Sequence, residues 1–372
     1  MPRSKNRTKQ KGHTSAIRLS FVVNGVFVGL ALSLLLYAAS AAGFLPVRYN
    51  PTALRNERPA AVVLPPTLNK AQYDKDVLAL ANSSSTVYKM MPAIASSSVP
   101  HWPAKTAYPD AGAVLPFKRI VAYYGNFYSK QMGVLGEYPP EQVLSMLMSE
   151  VAKWQAADPS TPVVPAIEYI AVTAQGAPGA DGKYRLRMPA SQIEKAIQMA
   201  GQVHGLVFLD VQVGLSNVQT EIPLLAPYLR LPQVELAIDP EFSMKNGNPP
   251  GTVIGTFDAS DINYTARYLA QLVDTYHLPP KILVVHRFTD AMVTNYKNIT
   301  PLPQVEIVMD MDGWGSPARK LRSYHDVIYK DPVQFAGIKL FYKNDIRPPS
   351  THMLTPEEVL KLKPIPIYIQ YQ

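Results

Sequence analysis

Six carboxylates in this chain stand where a run of apolar residues stops, and acids so placed can exchange protons or hold cations. They are Glu168 in Ala166-Ile-Glu-Tyr169, Asp210 in Phe208-Leu-Asp-Val211, Asp239 and Glu241 in Ile238-Asp-Pro-Glu-Phe242, and Asp310 and Asp312 in Met309-Asp-Met-Asp312. If these runs are β-strands, residues two apart share a face. Asp239 then lies on the side of Glu241, Asp210 on the side of Gln212, and Asp310 on the side of Asp312. The same alternation adds His286 of Val284-Val-His-Arg-Phe-Thr289, with Arg287 in its place if the register shifts by one, and Lys339 and Gln370 near the C-terminus. Six acids brought together would raise one another's pKa unless a proton, a cation or a substrate compensates. One protonated and one ionised carboxyl are also what cleavage of a glycosidic bond requires.

Those residues can meet only if the strand ends meet. Strands are expected at 119–125, 163–172, 206–213, 234–242, 282–288, 305–312, 338–342 and 367–371, and helical patterns fall between them at 139–154, 191–203, 220–231, 261–276, 290–298, 317–329 and 356–362. Repeated strand and helix units with fully apolar strands imply a parallel sheet covered by helices. Eight units in about 255 residues match the size of a (β/α)8 TIM-type barrel, whose chemistry gathers at the C-terminal ends of its strands. A doubly wound open sheet is the alternative, but no glycine-rich phosphate loop joins a strand directly to a helix. The chain ends on its eighth strand, so an eighth helix would be missing; the preceding stretch is available to cover that gap.

Upstream, residues 1–19 read as a basic cytoplasmic tail and 20–44 as about 25 residues without a charge, long enough to span a bilayer. Cleavage after Ala39-Ser-Ala41 as a signal peptide is the competing reading. Either way the bulk of the chain is expected outside the cytoplasm. Residues 45–117 are rich in Pro, Ala and Ser and read as a stalk, with 71–80 able to form a short helix against the domain 118–372. Six of the net positive charges lie in the tail, so the net +8 is mostly not on the folded part, which argues against a nucleic-acid partner. Cysteine is absent, which excludes disulfides, thiolate metal sites and a cysteine nucleophile.

Aromatic residues crowd the same strand ends: Tyr123 and Tyr124, Phe127 and Tyr128, Tyr169, Phe242, Trp314 and Tyr342. Flat apolar rings beside carboxylates and amides suit the C–H faces of sugars. The glycine-rich loop 173–185 is placed to overhang the site, and Asp312-Gly-Trp-Gly-Ser-Pro317 to set Trp314 at the mouth.

From Arg119 to Gln372 the chain resembles a group of exported bacterial proteins of unassigned activity that share VAYYG, GVLGE, TAQGAPGADGKYR, LDVQVG, DPEF, VVHRFT and DGWGSP. The barrel more broadly resembles the glycoside hydrolase superfamily. Asp239-Pro240-Glu241, with Asp310 or Asp312, is similar to the muramidases that carry an Asp-x-Glu pair on the fourth strand. That resemblance implies Glu241 as proton donor and Asp239 as its electrostatic partner. It departs at the first strand, where those enzymes carry an Asp and this chain has Tyr123, Tyr124 and Asn126.

The expectation is therefore a membrane-tethered, extracytoplasmic glycoside hydrolase acting on a polysaccharide, without a cofactor. Glu241, Asp239, Asp210 and Asp310 are the catalytic candidates. Glu168, Gln212, His286, Asp312, Trp314, Tyr124, Tyr342 and Gln370 are the substrate-binding ones. Two alternatives stand beside it: a metal-dependent hydrolase holding a divalent ion on His286 and the carboxylates, and a barrel that binds glycan without catalysis.

Overall fold

A computed structural model of the protein describes residues 67–87, 102–104 and 106–372. The basic tail, the uncharged segment 20–44 and most of the Pro-rich stretch lie outside the described residues. Among the described residues no helix is long and apolar enough to cross a membrane.

Eight parallel strands close into a barrel: β1 (Arg119–Gly125), β2 (Val163–Ala174), β3 (Leu206–Val211), β4 (Val234–Ile238), β5 (Lys281–Arg287), β6 (Val305–Met311), β7 (Phe335–Leu340) and β8 (Tyr368–Tyr371). Each pairs with the next in sequence, and β1 pairs with both β2 and β8, so the sheet has no free edge within the ring. Closure satisfies every ladder position without an exposed edge, which is why near-continuous apolar strands are tolerated here. The fold is that of a TIM-type α/β barrel.

Alternation sorts the strand residues into two packing layers. Ile120, Ala122, Ala166, Phe208, Ala237, Ile282, Val284, Val308, Phe335, Ile367 and Tyr368 fill the interior, together with Leu115 and Tyr73 from upstream. Their alternating neighbours, such as Val121, Ile167, Leu209, Leu236, Leu283, Ile307 and Ile338, pack outward against the helices. The helices begin where their sequences allow it. Pro140 opens Pro140–Ala157, and Asp258 with Asp261 forms a capping box at the start of Ala259–Tyr276.

Three expectations about elements need correction. The fourth strand ends at Ile238, because Pro240 lacks the N–H to continue a ladder and the Asp239 carboxylate accepts from the backbone N–H of Glu241 at 2.9 Å, starting the 3-10 turn Pro240–Phe242. The expected helix at 290–298 is absent. Two 3-10 turns, Asp290–Met292 and Tyr296–Asn298, flank the short strand Val293–Thr294, which pairs with Phe257–Asp258. The helix expected at 220–231 is broken into Val218–Glu221, Ile222–Leu225 and Ala226–Leu229, with Pro223 and Pro227 at the joints.

In the described part of the Pro-rich stretch, helix Lys70–Leu80 inserts Tyr73 at the N-terminal end of the barrel beside Leu115 and Phe335. There the buried Glu306 carboxylate accepts the backbone N–H groups of Val114 and Leu115 at 3.0 and 2.8 Å, tying the closing segment to β6. The Asn82 amide donates to the carbonyls of Leu360 and Leu362, fastening the end of the same segment to the C-terminal region.

Candidate active site

At the C-terminal end of the barrel the inward positions change from apolar to polar. Tyr124 of β1, Glu168 of β2, Asp210 of β3, His286 of β5, Asp310 of β6, Lys339 of β7 and Gln370 of β8 follow the interior parity, and Gln212, Asp239 and Asp312 continue it just past their strands. All ten are buried. The sequence places Glu168, Asp210, Asp239, Asp310, Asp312, His286, Gln212, Tyr124 and Gln370 in one cluster, and the fold brings them together.

His286 is the hub. Its Nε2 lies 2.9 Å from Glu168 Oε1, its Nδ1 lies 3.2 Å from Asp310 Oδ2, and Asp312 Oδ2 is 3.8 Å from the same Nδ1. The ring thus links acids from β2 and β6 across the barrel. Glu168 has a second partner, the Tyr368 hydroxyl, which donates to its other oxygen; Gln370 Nε2 in turn donates to Tyr368 at 3.4 Å. Asp210 Oδ2 accepts from the Tyr124 hydroxyl at 3.2 Å, and Gln212 Nε2 reaches that hydroxyl at 3.3 Å. Lys339 sets its ammonium 3.5 Å from the centre of the Tyr124 ring, a cation–π contact that places a fixed positive charge among the acids.

The environment splits these carboxyls into two kinds. Burial opposes ionisation of Glu168, but the His286 charge and the hydrogen bonds from His286 and Tyr368 outweigh it and hold its pKa below the usual carboxylate range. Burial pushes Asp210 well above that range, with the charges of Asp239 and Glu168 adding to it against His286 and Lys339. Asp310 is raised by burial despite its bond to His286. Burial also drives Asp239 up to about 8 and Glu241 up to about 7, the Asp312 charge contributing to both. For His286, burial alone would favour the neutral ring, yet Glu168, Asp310 and Asp312 overcome it and raise its pKa well above the ordinary value. The mouth therefore sets one acid whose charged form is favoured beside an imidazole whose protonated form is favoured and several carboxyls whose protons are held more tightly than usual.

Four acceptor oxygens in this cluster have no hydrogen-bond partner: Asp210 Oδ1, Asp310 Oδ1, Asp312 Oδ1 and Gln370 Oε1. Buried acceptors left open in this way are a cost that a bound donor or cation removes. One ligand atom each from Glu168, Asp210 and His286 falls within 4.8 Å of the others, close enough to share a metal ion.

Not every candidate joins the ring. Tyr342 lies on the helix-facing side, its hydroxyl 2.7 Å from that of Tyr123 and 3.1 Å from Glu150, with its ring stacked on Tyr371. Parity explains this, since Tyr342 continues the outward series of Ile338 and Leu340. Glu241 sits on the 3-10 turn beyond β4 rather than on the strand, partly exposed at the rim and within the fields of Asp312, Lys339 and His286. Trp314 is 42% exposed, and its ring carries the guanidinium groups of Arg319 and Arg347 at 5.3 and 5.7 Å. Its turn is held by buried Asp345, which accepts the N–H of Gly315 at 2.8 Å and of Phe341 at 3.0 Å and pairs with Lys320. The loop 173–185 continues β2 into a hairpin with Arg185–Arg187, clamped by Glu221 between Arg185 and Arg187.

Two contributors were missed as site residues. Tyr368 reads as an ordinary apolar strand residue, yet it lies two before Gln370, so the same parity points it inward. Gly337 leaves space: a Cβ there would meet Asp310 Oδ1 at 2.7 Å.

Fold and site together define a TIM-type barrel with an acidic, histidine-centred mouth. No protein-family model matches the chain, and a search of curated proteins finds none that matches it.

Proposed function

We propose that the protein is a glycoside hydrolase-like enzyme that cleaves a polysaccharide at the barrel mouth by carboxylate acid–base catalysis, with Glu241 as the proton donor. The observation that carries this reading is a rim carboxyl, Glu241, that burial and the charge of Asp312, just past the end of β6, lift to about 7. A general acid is most effective when its pKa lies near the working pH, and its partner must be ionised. Asp239, Asp210 and Asp310 are all pushed upward by burial, and among the neighbouring acids it is the Asp312 charge that acts most strongly on Glu241. Asp239 then acts through the backbone, fixing the turn that carries Glu241. Trp314, exposed at the rim, supplies a ring face, and the open Oε1 of Gln370 an acceptor for a sugar hydroxyl. The enzyme acts outside the cytoplasm on a cell-envelope or environmental glycan, tethered through residues 20–44.

The test is release of reducing ends from a panel of polysaccharides, peptidoglycan included. The wild type is expected to cleave at least one, and Glu241→Gln to lose about 10²–10⁴-fold in kcat, the usual worth of a general acid. Equal activity in wild type and variant refutes the assignment of Glu241. A folded wild type that binds a glycan from the panel and cleaves none refutes the enzymatic reading in favour of a binding barrel.

A further inference from the structure

We propose that Glu168, Asp210 and His286 together bind one divalent transition-metal ion at the centre of the barrel mouth, beneath the Asp239–Glu241 turn. The three side chains come from β2, β3 and β5, all are fully buried, and each can present one ligand atom within 4.8 Å of the other two. Ligands at about 2.1 Å from an ion lie about 3.0 Å apart in octahedral and about 3.4 Å apart in tetrahedral geometry, and His286 Nε2 and Glu168 Oε1, now hydrogen-bonded at 2.9 Å, are close to that range. The pair already has the spacing of neighbouring ligands.

An acidic cluster alone would not justify this. The independent observation is the state of the remaining atoms. Asp210 Oδ2 is occupied by the Tyr124 hydroxyl, while Oδ1 of the same buried carboxylate meets no donor. Asp310 Oδ1 and Gln370 Oε1, equally buried, are open too. A buried acceptor oxygen with no donor is stabilised by a cation, and here three such acceptors, two on carboxyl groups and one on an amide, belong to one cluster.

Outer contacts complete the pattern. Metal-bound histidines commonly donate their second ring N–H to a carboxylate, which fixes the tautomer and turns the free nitrogen toward the ion. His286 Nδ1 lies 3.2 Å from Asp310 Oδ2, leaving Nε2 to face Glu168. The other oxygen of Glu168 receives the Tyr368 hydroxyl, and that of Asp210 receives Tyr124, so each ligating group is oriented by one bond and offers its remaining atom. An imidazole nitrogen with carboxylate oxygens selects Mn2+, Fe2+ or Zn2+ over Ca2+ and Mg2+, which prefer all-oxygen shells. When the ion binds, Nε2 exchanges its hydrogen bond to Glu168 for coordination and any proton there leaves to solvent.

This proposal does not rest on the hydrolase reading, because its readout is binding. The full-length chain, stripped with a chelator and returned to metal-free buffer, is titrated with Mn2+ followed by electron paramagnetic resonance, and with Zn2+ by competition against a chromophoric chelator. One ion per chain is expected. Asp210→Asn, which keeps size and the Tyr124 contact, should weaken binding at least 10-fold, and Asp310→Asn by about 10–100-fold as the group that orients His286. Glu241→Gln should bind as the wild type does. Because His286→Gln can unfold the barrel, Asp210→Asn, with its circular dichroism confirmed native, is the deciding variant. No stoichiometric Mn2+ or Zn2+ on folded wild type, unchanged affinity in Asp210→Asn, or Ca2+ and Mg2+ binding as tightly as Mn2+ would overturn the site.

Discussion

Replacing Asp239 by Asn should change how the stability of this barrel depends on pH. The native carboxyl is buried, receives the backbone N–H of Glu241 at 2.9 Å, and is pushed from 3.8 up to about 8, first by burial and then by the charges of Glu241 and Asp312. An acid whose folded pKa is raised holds its proton in the native state while the unfolded chain has released it. Stability is therefore greatest below pH 4 as far as this group is concerned and falls as pH rises toward 8, after which it levels. At about 1.36 kcal/mol per pH unit, the interval from 3.8 to about 8 has an upper bound on the order of 6 kcal/mol. Coupling to Glu241 and Asp312 shares that slope, so a loss of about 2–4 kcal/mol between pH 5 and pH 8 is expected. Asparagine keeps an oxygen for the Glu241 N–H and removes the titration. Urea unfolding at pH 5, 6, 7 and 8, followed by tryptophan fluorescence, should show a falling stability in the wild type and a shallower slope in Asp239→Asn, with the variant more stable than the wild type at pH 8. Parallel slopes, or a wild type that gains stability over this range, would refute the placement of a protonated acid at 239.

Other consequences are open to measurement. His286→Gln leaves Glu168, Asp310 and Asp312 facing one another without the imidazolium, and removing one partner of a buried pair costs about 3–5 kcal/mol, which calorimetry should register as a drop in Tm of roughly 6–20 °C. His286 itself, with its folded pKa raised, contributes fully below about pH 6.5 and loses that contribution as pH climbs through the folded value, so the penalty of His286→Gln should shrink at alkaline pH. Gly337→Ala puts a Cβ 2.7 Å from Asp310 Oδ1 and 3.1 Å from both Val308 and Tyr368, so about 1–3 kcal/mol of destabilisation by chemical denaturation is expected. The proposed glycan cleavage should slow as pH rises through about 7, where Glu241 gives up its proton, and a pH–rate profile rising across that value would be inconsistent with Glu241 as acid.

Much of the barrel was legible because its strands are long, apolar and separated by helical patterns, and period-two parity then sufficed to set Glu168, Asp210, His286, Asp310 and Gln370 on one inner face. Parity failed where the backbone left the strand. Glu241 was placed on β4, but Pro240 ends the ladder and the Asp239 side chain turns the chain, so the two acids differ in exposure. Tyr342 was placed at the mouth because it is aromatic and near a strand end, while its register relative to Ile338 and Leu340 points it outward to Tyr123 and Glu150. Residues 290–298 have helical spacing in a segment that instead pairs with Phe257–Asp258, a non-local contact invisible to local periodicity. Tyr368 was overlooked because a buried phenol and a buried phenylalanine look alike in a hydropathy pattern; only its distance from Glu168 in the closed ring reveals the hydroxyl's role. Helix Lys70–Leu80 is expected against the domain, but its place at the N-terminal end, where the buried Glu306 carboxyl receives the N–H groups of Val114 and Leu115, has no local signal in the sequence.

We propose proton-assisted glycosidic cleavage at the acidic mouth through Glu241. Its most direct test is a side-by-side assay of wild type and Glu241→Gln on a polysaccharide panel, with the fold of both checked by circular dichroism. Cleavage by the wild type, reduced at least about 100-fold in the variant with glycan binding retained, is the predicted outcome. Undiminished cleavage by Glu241→Gln, or none by a folded wild type on any glycan it binds, would contradict it.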